Sequence, residues 1–289
     1  MTSWRQPGWA RLLILLAVAL LIRGQTLGHP LLHIDENFYL LVGDRMVRDG
    51  AWPYVDIWDR KPVGLFVLFA AFRLIGGDGF LISQLAALAA VVATAWIIVR
   101  LAERVVAPGA AMAGGVAYLA GLTFFGGYGA QAPIFFNLPM VAAALVLVRT
   151  LEHDGDETKL LPGGILCMLL VGLAMQIKYS VVFEGAFFGL TLLYAARQAG
   201  WARLVLWGLV WIAVALMLTL LAWLIYALAG HNEAFVFSNF ISIFQRASSF
   251  DATAQKRLLK LLALMAPFIL LSLPIWRARG LAMGRLALG

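Results

Sequence analysis

The fold class is decided by a long apolar stretch in the second half of the chain, residues 204–229, which read LVLWGLVWIAVALMLTLLAWLIYALA. No side chain in this stretch carries a charge. A helix needs about 20 mostly apolar residues to cross the hydrocarbon core of a bilayer, and it satisfies its own backbone groups while doing so. The stretch therefore predicts a transmembrane helix.

Similar apolar stretches recur along the chain. The protein is 63% hydrophobic and only 13% charged, with a mean hydropathy of +0.89, whereas soluble domains are about 25% charged. We therefore expect an all-α fold, a polytopic transmembrane helix bundle of about eight spans that forms a single domain over residues 1–289. The predicted spans cover residues 9–26, 80–101, 110–127, 134–151, 161–176, 179–196, 204–229 and 258–276.

Basic residues stand at the ends of the apolar stretches rather than in one stripe. A net charge of +7 is therefore interpreted as membrane orientation and not as a nucleic-acid surface. If the N-terminus is cytoplasmic, every inner connection is basic, with Arg100 and Arg104, Arg149 and Lys159, Arg197 and Arg203, and finally Arg277, Arg279 and Arg285. The high Ala, Gly and Arg content indicates a bacterial inner membrane. With one cysteine, Cys167, an intrachain disulfide is excluded.

The outer side then carries a long loop, residues 29–79, with seven of the fifteen acidic residues. Within it, residues 63–75 are apolar but too few to cross the bilayer comfortably. We expect them to form an interfacial helix whose Arg73 reaches the lipid headgroups.

A second outer loop, residues 231–255, has Phe237, Phe240, Ile241 and Phe244 at helical spacing. Such a one-sided stripe fits an amphipathic helix on the membrane surface. A helix packed within the loop fits it as well.

Two polar clusters in the first outer loop are the strongest candidates for chemistry, HIDENFY at residues 33–39 and YVDIWDRKP at residues 54–62. A carboxylate such as Asp35 can take a proton from an attacking hydroxyl. Arg60 and Lys61 can hold phosphate oxygens while negative charge builds on a leaving group. Together the clusters predict a site for a phosphate-bearing lipid at the outer surface.

Structural alternatives remain open for these residues. Asp35 can instead cap a helix over residues 36–47, with Glu36 favoured in its first turn by the helix dipole. Asp56 and Asp59 can orient the neighbouring cations, bind a divalent ion, or simply be solvated.

Two further ionisable residues lie in or beside an apolar stretch. Lys178 fits either a lysine that reaches the outer interface between two spans or a second cation facing the lipid phosphate. Glu184 lies deeper, and we expect it to have a partner inside the bundle. His29 and His33 precede Asp35 without the spacing typical of zinc sites, so no metal and no cofactor are predicted.

The order and type of these residues resemble the membrane glycosyltransferases of the GT-C type. The similarity is to bacterial relatives of the dolichyl-phosphate-mannose protein mannosyltransferases and the lipid A aminoarabinose transferases. Asp35-Glu36 stands just after the first span, and residues 59–62 resemble the acid-Lys-Pro motif of that family. Residues 172–179, GLAMQIKY, are similar to a later segment in which a Gly-Leu-Ala run leads into a lysine.

The resemblance implies an inverting transfer of a sugar from a polyprenyl-phosphate donor to an acceptor lipid, glycan or protein on the outer face. It implies that Asp35 is the general base and that Glu36 supports it. Lys61, Arg60 and Lys178 would stabilise the departing lipid phosphate.

Further substrate contacts are expected from Tyr39, Asp56 and Asp59 in the two clusters. Many relatives carry an acid in the short outer loop before the fourth span, where this chain has none. Gln131 and Asn137 are there instead, and we expect their amides to bind sugar hydroxyls. Relatives also have further spans, so the resemblance implies C-terminal spans that this chain lacks. The alternative function is a non-catalytic protein that binds or translocates a lipid-linked glycan, or an assembly partner.

Overall fold

A computed structural model of the chain describes residues 7–30, 32–152, 157–245 and 252–272. These residues form eleven α-helices: α1 Gly8–Arg23, α2 Ile34–Asp49, α3 Val63–Ile75, α4 Phe80–Ala102, α5 Pro108–Phe124, α6 Ala132–Leu151, α7 Glu157–Met175, α8 Val182–Ala195, α9 Trp201–Leu228, α10 Asn232–Val236 and α11 Ala252–Ser272. Short 3-10 turns follow α1, precede α8 and follow α8, and a π-helical turn, Phe237–Ile241, follows α10. The single extended pairing within these residues is a bridge between Pro53 and Ile57. The all-α prediction is confirmed.

Six helical segments are long and apolar enough to cross a membrane, which confirms the membrane-bundle class: Gly8–Thr26, Phe80–Ala102, Ala132–Leu151, Thr158–Met175, Tyr179–Gln198 and Trp201–Leu228. The predicted count of eight is not confirmed. Helix α5 has 17 residues, or about 26 Å at 1.5 Å per residue, against a hydrocarbon core of about 30 Å. In α11 the apolar part is Leu258–Pro267, and the predicted span continues to residue 276, outside the described residues.

Ion pairs join several helices at the end of the bundle where α1 begins, which we name the proximal end. Arg11 near the start of α1 pairs with Glu103, which follows α4. Arg104 pairs with Glu152 at the end of α6. Helices α4 and α6 therefore finish at the end where α1 starts.

The opposite, distal end is joined by contacts around Arg23, the last residue of α1. Its guanidinium donates to the carbonyl oxygen of Gly127, 2.6 Å away, and to that of Gly129. At the start of α4, the side chain of Gln84 accepts the Gly28 N–H at 2.6 Å. Since Gly127 and Gly129 follow α5, that helix carries the chain from the proximal end to the distal end.

Helices α2 and α3 pack side by side at the distal end and run parallel, since the partners advance together along both helices: Tyr39 meets Phe66 and Phe69, and Asp44 meets Arg73. The pair is tight because Gly43 of α2 lacks a side chain, and a Cβ there would lie 2.6 Å from the backbone nitrogen of Ala70 in α3. Aromatic rings fill the contact, with Tyr39 and Phe69 centroids 5.1 Å apart and Phe66 buried beside them. The parallel pair therefore brings the beginning of α2 next to the loop that precedes α3.

The bounds predicted for the interfacial helix, residues 63–75, agree with α3, but the role expected for Arg73 is wrong. Its guanidinium donates to one carboxylate oxygen of Asp44 in α2 at 2.6 and 2.9 Å, and to the carbonyl oxygen of Gly77 at 2.7 Å. Arg73 therefore fastens α3 to α2 and does not reach for lipid headgroups.

Candidate functional site

Asp35 is not the residue that caps α2. The helix begins at Ile34, and the ring nitrogen Nδ1 of His33 accepts the Asp35 N–H at 3.2 Å. The capping alternative for Asp35 is therefore wrong, because His33 performs that task. The Asp35 carboxylate is 46% exposed and free to make other contacts.

Asp35, Tyr39 and Lys61 come together at the distal end. The Tyr39 hydroxyl, one turn along α2, donates to Asp35 Oδ2 at 3.3 Å. Lys61, from the loop before α3, donates from Nζ to the Tyr39 oxygen at 2.6 Å and lies 3.7 Å from Asp35 Oδ2. The two clusters of the loop over residues 29–79 are thus parts of one site, which we name the acid–lysine site.

Tyr39 bridges this site as a neutral group. Its side chain is buried, and burial together with the nearby Asp35 carboxylate raises the pKa of its hydroxyl. The phenol therefore keeps its proton at any physiological pH, and it can donate to Asp35 while accepting from Lys61.

The ion pair between Lys61 and Asp35 is only partly buried, with side-chain exposures of 32% and 46%. Pairs of such exposure contribute little to folding, about 0–1 kcal/mol. The gain in folding stability is therefore too small to explain why these two residues lie together. Both side chains are also exposed enough for a ligand to reach them.

The loop that carries Lys61 is held by its own carboxylates. Asp56 Oδ2 accepts the Trp52 N–H at 2.7 Å, and Asp59 Oδ1 accepts the backbone N–H groups of Arg60 and, at 3.1 Å, of Lys61. These contacts shape the loop, and substrate contacts of Asp56 and Asp59 stay a prediction. The Arg60 guanidinium is exposed and lies 5.8 Å from the ring centroid of Trp58.

Tyr54 also shapes this loop, and the sequence analysis did not predict that role. Its backbone has a φ of 72°, a left-handed conformation that costs energy for a side chain of this size. Its buried hydroxyl donates to the carbonyl oxygen of Lys61 at 2.6 Å and lies 3.2 Å from Asn239 Oδ1. No sequence pattern near residue 54 points to a contact with residue 239.

Glu36 faces away from the acid–lysine site and into the protein. It is 1% exposed, its Oε1 accepts the N–H of Ala130, and Gln84 also donates to it. Burial raises its pKa, against the lowering effect of these hydrogen bonds and of Arg23. Glu36 therefore joins α2 to the loop before α6, and its catalytic role stays a prediction.

Gln131 and Asn137 differ in their surroundings, and their binding to sugar hydroxyls stays a prediction. Gln131 is 7% exposed, and its Nε2 has no hydrogen-bond partner among the described residues. Asn137 donates to the Tyr118 hydroxyl at 3.4 Å and lines a mostly apolar cavity of about 630 Å³ between α4, α5, α6 and α8. Glu184 lines the same cavity, and the partner expected for it is not found among the described residues.

Lys178 lies at the same end of the bundle as Lys61. It is exposed, and its Nζ is 5.8 Å from the ring centroid of Phe136 in α6. Just before it, Gln176 packs so closely on Gly64 that a Cβ at Gly64 would lie 2.5 Å from the Gln176 Cβ. Gly64 lies at the start of α3 and is three residues after Lys61. The turn that carries Lys178 therefore lies against the chain just after Lys61.

Within the described part of the chain, no group of three or more His, Cys, Asp or Glu side chains has the arrangement of a metal site. His29, His33 and Asp35 accordingly do not gather around a common point. A comparison of the chain with protein-family models, with curated proteins and with solved structures finds no match.

Proposed function

We propose that the protein is a membrane glycosyltransferase that moves a sugar from a polyprenyl-phosphate donor to an acceptor hydroxyl, with inversion at the sugar carbon. The observation that carries the proposal is the acid–lysine site, in which Asp35 Oδ2 and Lys61 Nζ lie 3.7 Å apart and share Tyr39. An accessible carboxylate beside a lysine provides a proton acceptor and a phosphate-binding group at one place.

In this proposal Asp35 takes the proton of the acceptor hydroxyl as its oxygen attacks the anomeric carbon of the sugar. The bond between that carbon and the phosphate oxygen breaks, and the electron pair leaves with the polyprenyl phosphate. Lys61, Arg60 and Lys178 stabilise the negative charge of the departing phosphate. Tyr39 keeps Asp35 and Lys61 in register throughout.

The membrane arrangement supports this chemistry. The proximal end carries arginines at the ends of its helices, among them Arg100 and Arg104, whereas the acid–lysine site lies at the distal end. By the positive-inside rule we place the proximal end in the cytoplasm and the site on the outer face of a bacterial inner membrane. Helices α5 and α11 complete a bundle of eight spans in this arrangement.

The lipid chain of the donor needs an apolar place next to the phosphate. The cavity of about 630 Å³ begins at Asn137, directly after the Phe136 ring that Lys178 contacts. Its size is within the range of about 300–1,000 Å³ typical of ligand pockets. We assign it to the first units of the polyprenyl chain.

The test is sugar transfer by purified protein in lipid nanodiscs, with radiolabelled polyprenyl-phosphate sugars and candidate acceptors. We expect Asp35→Asn to reduce transfer at least about 100-fold, because a carboxamide cannot accept the proton. Lys61→Ala is expected to weaken binding of the donor as well. The matched control is Asp49→Asn on the same helix, an exposed residue paired with Arg45 outside the site, and it should transfer normally.

Full transfer by Asp35→Asn would refute the assignment of the general base. Binding of polyprenyl phosphate through Lys61 with no sugar transferred to any acceptor would instead support the alternative, a non-catalytic protein that binds or translocates a lipid-linked glycan.

A further inference from the structure

A segment that follows α9 has, from Phe237 onward, its polar and apolar sides reversed relative to a helix in water. We name it the surface segment, Asn232 to Phe244; it comprises α10 and the π-helical turn Phe237–Ile241 with the residues that follow. From Phe237 onward its polar side chains Ser238, Asn239 and Ser242 are buried. The exposed side chains of the same part are apolar: Phe237, Phe240, Ile241, Ile243 and Phe244.

Lipid is the environment that fits such an exposed face. Helix α9, which is long and apolar enough to span the membrane, ends at Leu228, shortly before the surface segment begins. The indole nitrogen of Trp223 in α9 donates to Asn232 Oδ1 at 2.8 Å and fastens the segment to the end of that span. In water, so many exposed aromatic side chains would be costly, whereas at the membrane interface they are stabilising.

The buried side of the segment contacts both loops that carry the proposed phosphate-binding lysines. Asn239 Oδ1 accepts the hydroxyl of Tyr179 at 2.9 Å and lies 3.2 Å from the hydroxyl oxygen of Tyr54, while its Nδ2 donates to Phe235 O at 2.9 Å. Tyr179 is the residue after Lys178, and Tyr54 donates to the carbonyl oxygen of Lys61. One amide therefore joins the backbone that supports each lysine.

The π-helical turn is the reason that this amide can reach both tyrosines. A π-helical turn holds one more residue than an α-helical turn, so it shifts the residues within it around the axis, and such turns are frequent at functional sites. Here Asn239 lies at the middle of the turn, directed inward, while Phe237 and Phe240 on either side of it are exposed.

We propose that the surface segment is embedded in the lipid of the outer leaflet, and that Asn239 is a positioning residue that holds Lys61 and Lys178 at the spacing required by the phosphate of a polyprenyl lipid. The identity of the ligand rests on the proposed function. The positioning rests on the contacts of Asn239 alone.

The first test measures the binding of undecaprenyl monophosphate to the full chain in nanodiscs. Asn239→Leu has a similar volume but accepts no hydrogen bond, and we expect it to raise the dissociation constant about tenfold. Tyr179→Phe, which removes one of the two hydroxyls, should raise it about threefold. The control is Ser242→Ala, since the Ser242 hydroxyl donates only to the Ser238 carbonyl oxygen, 2.8 Å away, and binding should stay within about twofold.

A merely structural role of Asn239 predicts a different pattern. If Asn239 acts through Lys61 and Lys178, adding Asn239→Leu to the double variant Lys61→Ala/Lys178→Ala weakens binding no further, since the effects of coupled residues do not add. Additive losses, or unchanged binding by Asn239→Leu, would overturn the positioning role. Wild-type protein that binds the lipid but transfers no sugar would refute the proposed enzyme while leaving this inference intact.

The second test examines the lipid contact. The one native cysteine, Cys167, is buried, so a fluorophore can be attached at Phe244→Cys with little background. Phospholipids brominated in their acyl chains should quench it strongly, and the same fluorophore at Val55→Cys, an exposed position in the first loop, should be quenched less. Equal, weak quenching at both positions would contradict the embedding of the surface segment.

Discussion

At the scale of single residues, neighbours in sequence have separate tasks. Asp35 and Glu36 are adjacent, but successive side chains on a helix point about 100° apart, so Asp35 meets Lys61 while Glu36 enters the protein. The buried Glu36 then holds the loop at Ala130, which Arg23 also holds through Gly127 and Gly129. An acidic pair that looks like one catalytic unit in the sequence is divided between a site and its support.

The pH dependence of stability should report the buried position of Glu36. Because burial raises its pKa in the folded state above the unfolded value of about 4.3, the folded protein holds this proton more tightly. The contribution of this proton to the free energy of unfolding is therefore complete below about pH 4.3, and it is lost as the pH rises through the higher folded pKa. We expect Glu36→Gln to remove this part of the decrease in stability with pH, measured by thermal unfolding in detergent between pH 4 and pH 7.

A second substitution separates charge from hydrogen bonding at the same position. Glu36→Leu leaves the Ala130 N–H without an acceptor in a buried place, which costs about 1–3 kcal/mol of unfolding free energy. Glu36→Gln keeps an acceptor and should cost less. Equal stability of wild type and both variants at all pH values would contradict the proposed joining of α2 to the loop before α6.

At the scale of secondary structure elements, the parallel packing of α2 and α3 brings the two clusters of the first loop together. Their residues lie 22 positions apart along the chain at the Lys61–Tyr39 hydrogen bond. The close helix contact at Gly43 and the double hydrogen bond from Arg73 to Asp44 set the register of the two helices. The acid–lysine site therefore depends on contacts two to three turns away from it.

Enlarging Gly43 should disturb that site from a distance. Gly43→Ala places a Cβ 2.6 Å from a backbone atom of α3, so the helices must separate, which we expect to cost about 1–3 kcal/mol and to reduce sugar transfer. The matched control is Gly114→Ala in α5, where a Cβ meets nothing within 4 Å and helix propensity favours alanine. Thermal unfolding and transfer assays on both variants check this, and similar behaviour of the two would show that the crossing is not tight.

At the scale of the whole molecule, charge is distributed between the two ends of the bundle. The proximal end holds the Arg11–Glu103 and Arg104–Glu152 pairs, and the distal end holds the acid–lysine site and the surface segment. Apolar packing between the ends falls into two clusters, one centred on α1 to α6 and one on α6 to α9. Helix α6 belongs to both and connects them.

Orientation in the membrane can be measured by labelling single introduced cysteines, because the native Cys167 is buried. We expect a membrane-impermeant maleimide added to intact spheroplasts to label Val55→Cys at the distal end. It should label Ala107→Cys, an exposed position at the proximal end, only after the membrane is permeabilised. Labelling of Ala107→Cys in intact spheroplasts, or of both positions alike, would contradict the proposed topology.

The sequence by itself determined the class of this protein and the residue types of its candidate site. Apolar length sets which stretches can cross a bilayer, and it predicted both the six supported spans and the bounds of α3, because hydrophobicity and helix length are local properties. The polar clusters stood out in the same way, since charges are rare in such a chain.

The tertiary structure alone decided which of those residues meet. The bond from Arg73 to Asp44, the inward turn of Glu36, the His33 cap and the contacts of Asn239 all depend on packing between distant segments, as between residues 54 and 239. Such contacts follow from helix crossing and from the direction of each side chain around its axis. No local pattern of residues encodes them, because they result from how whole helices fit against one another.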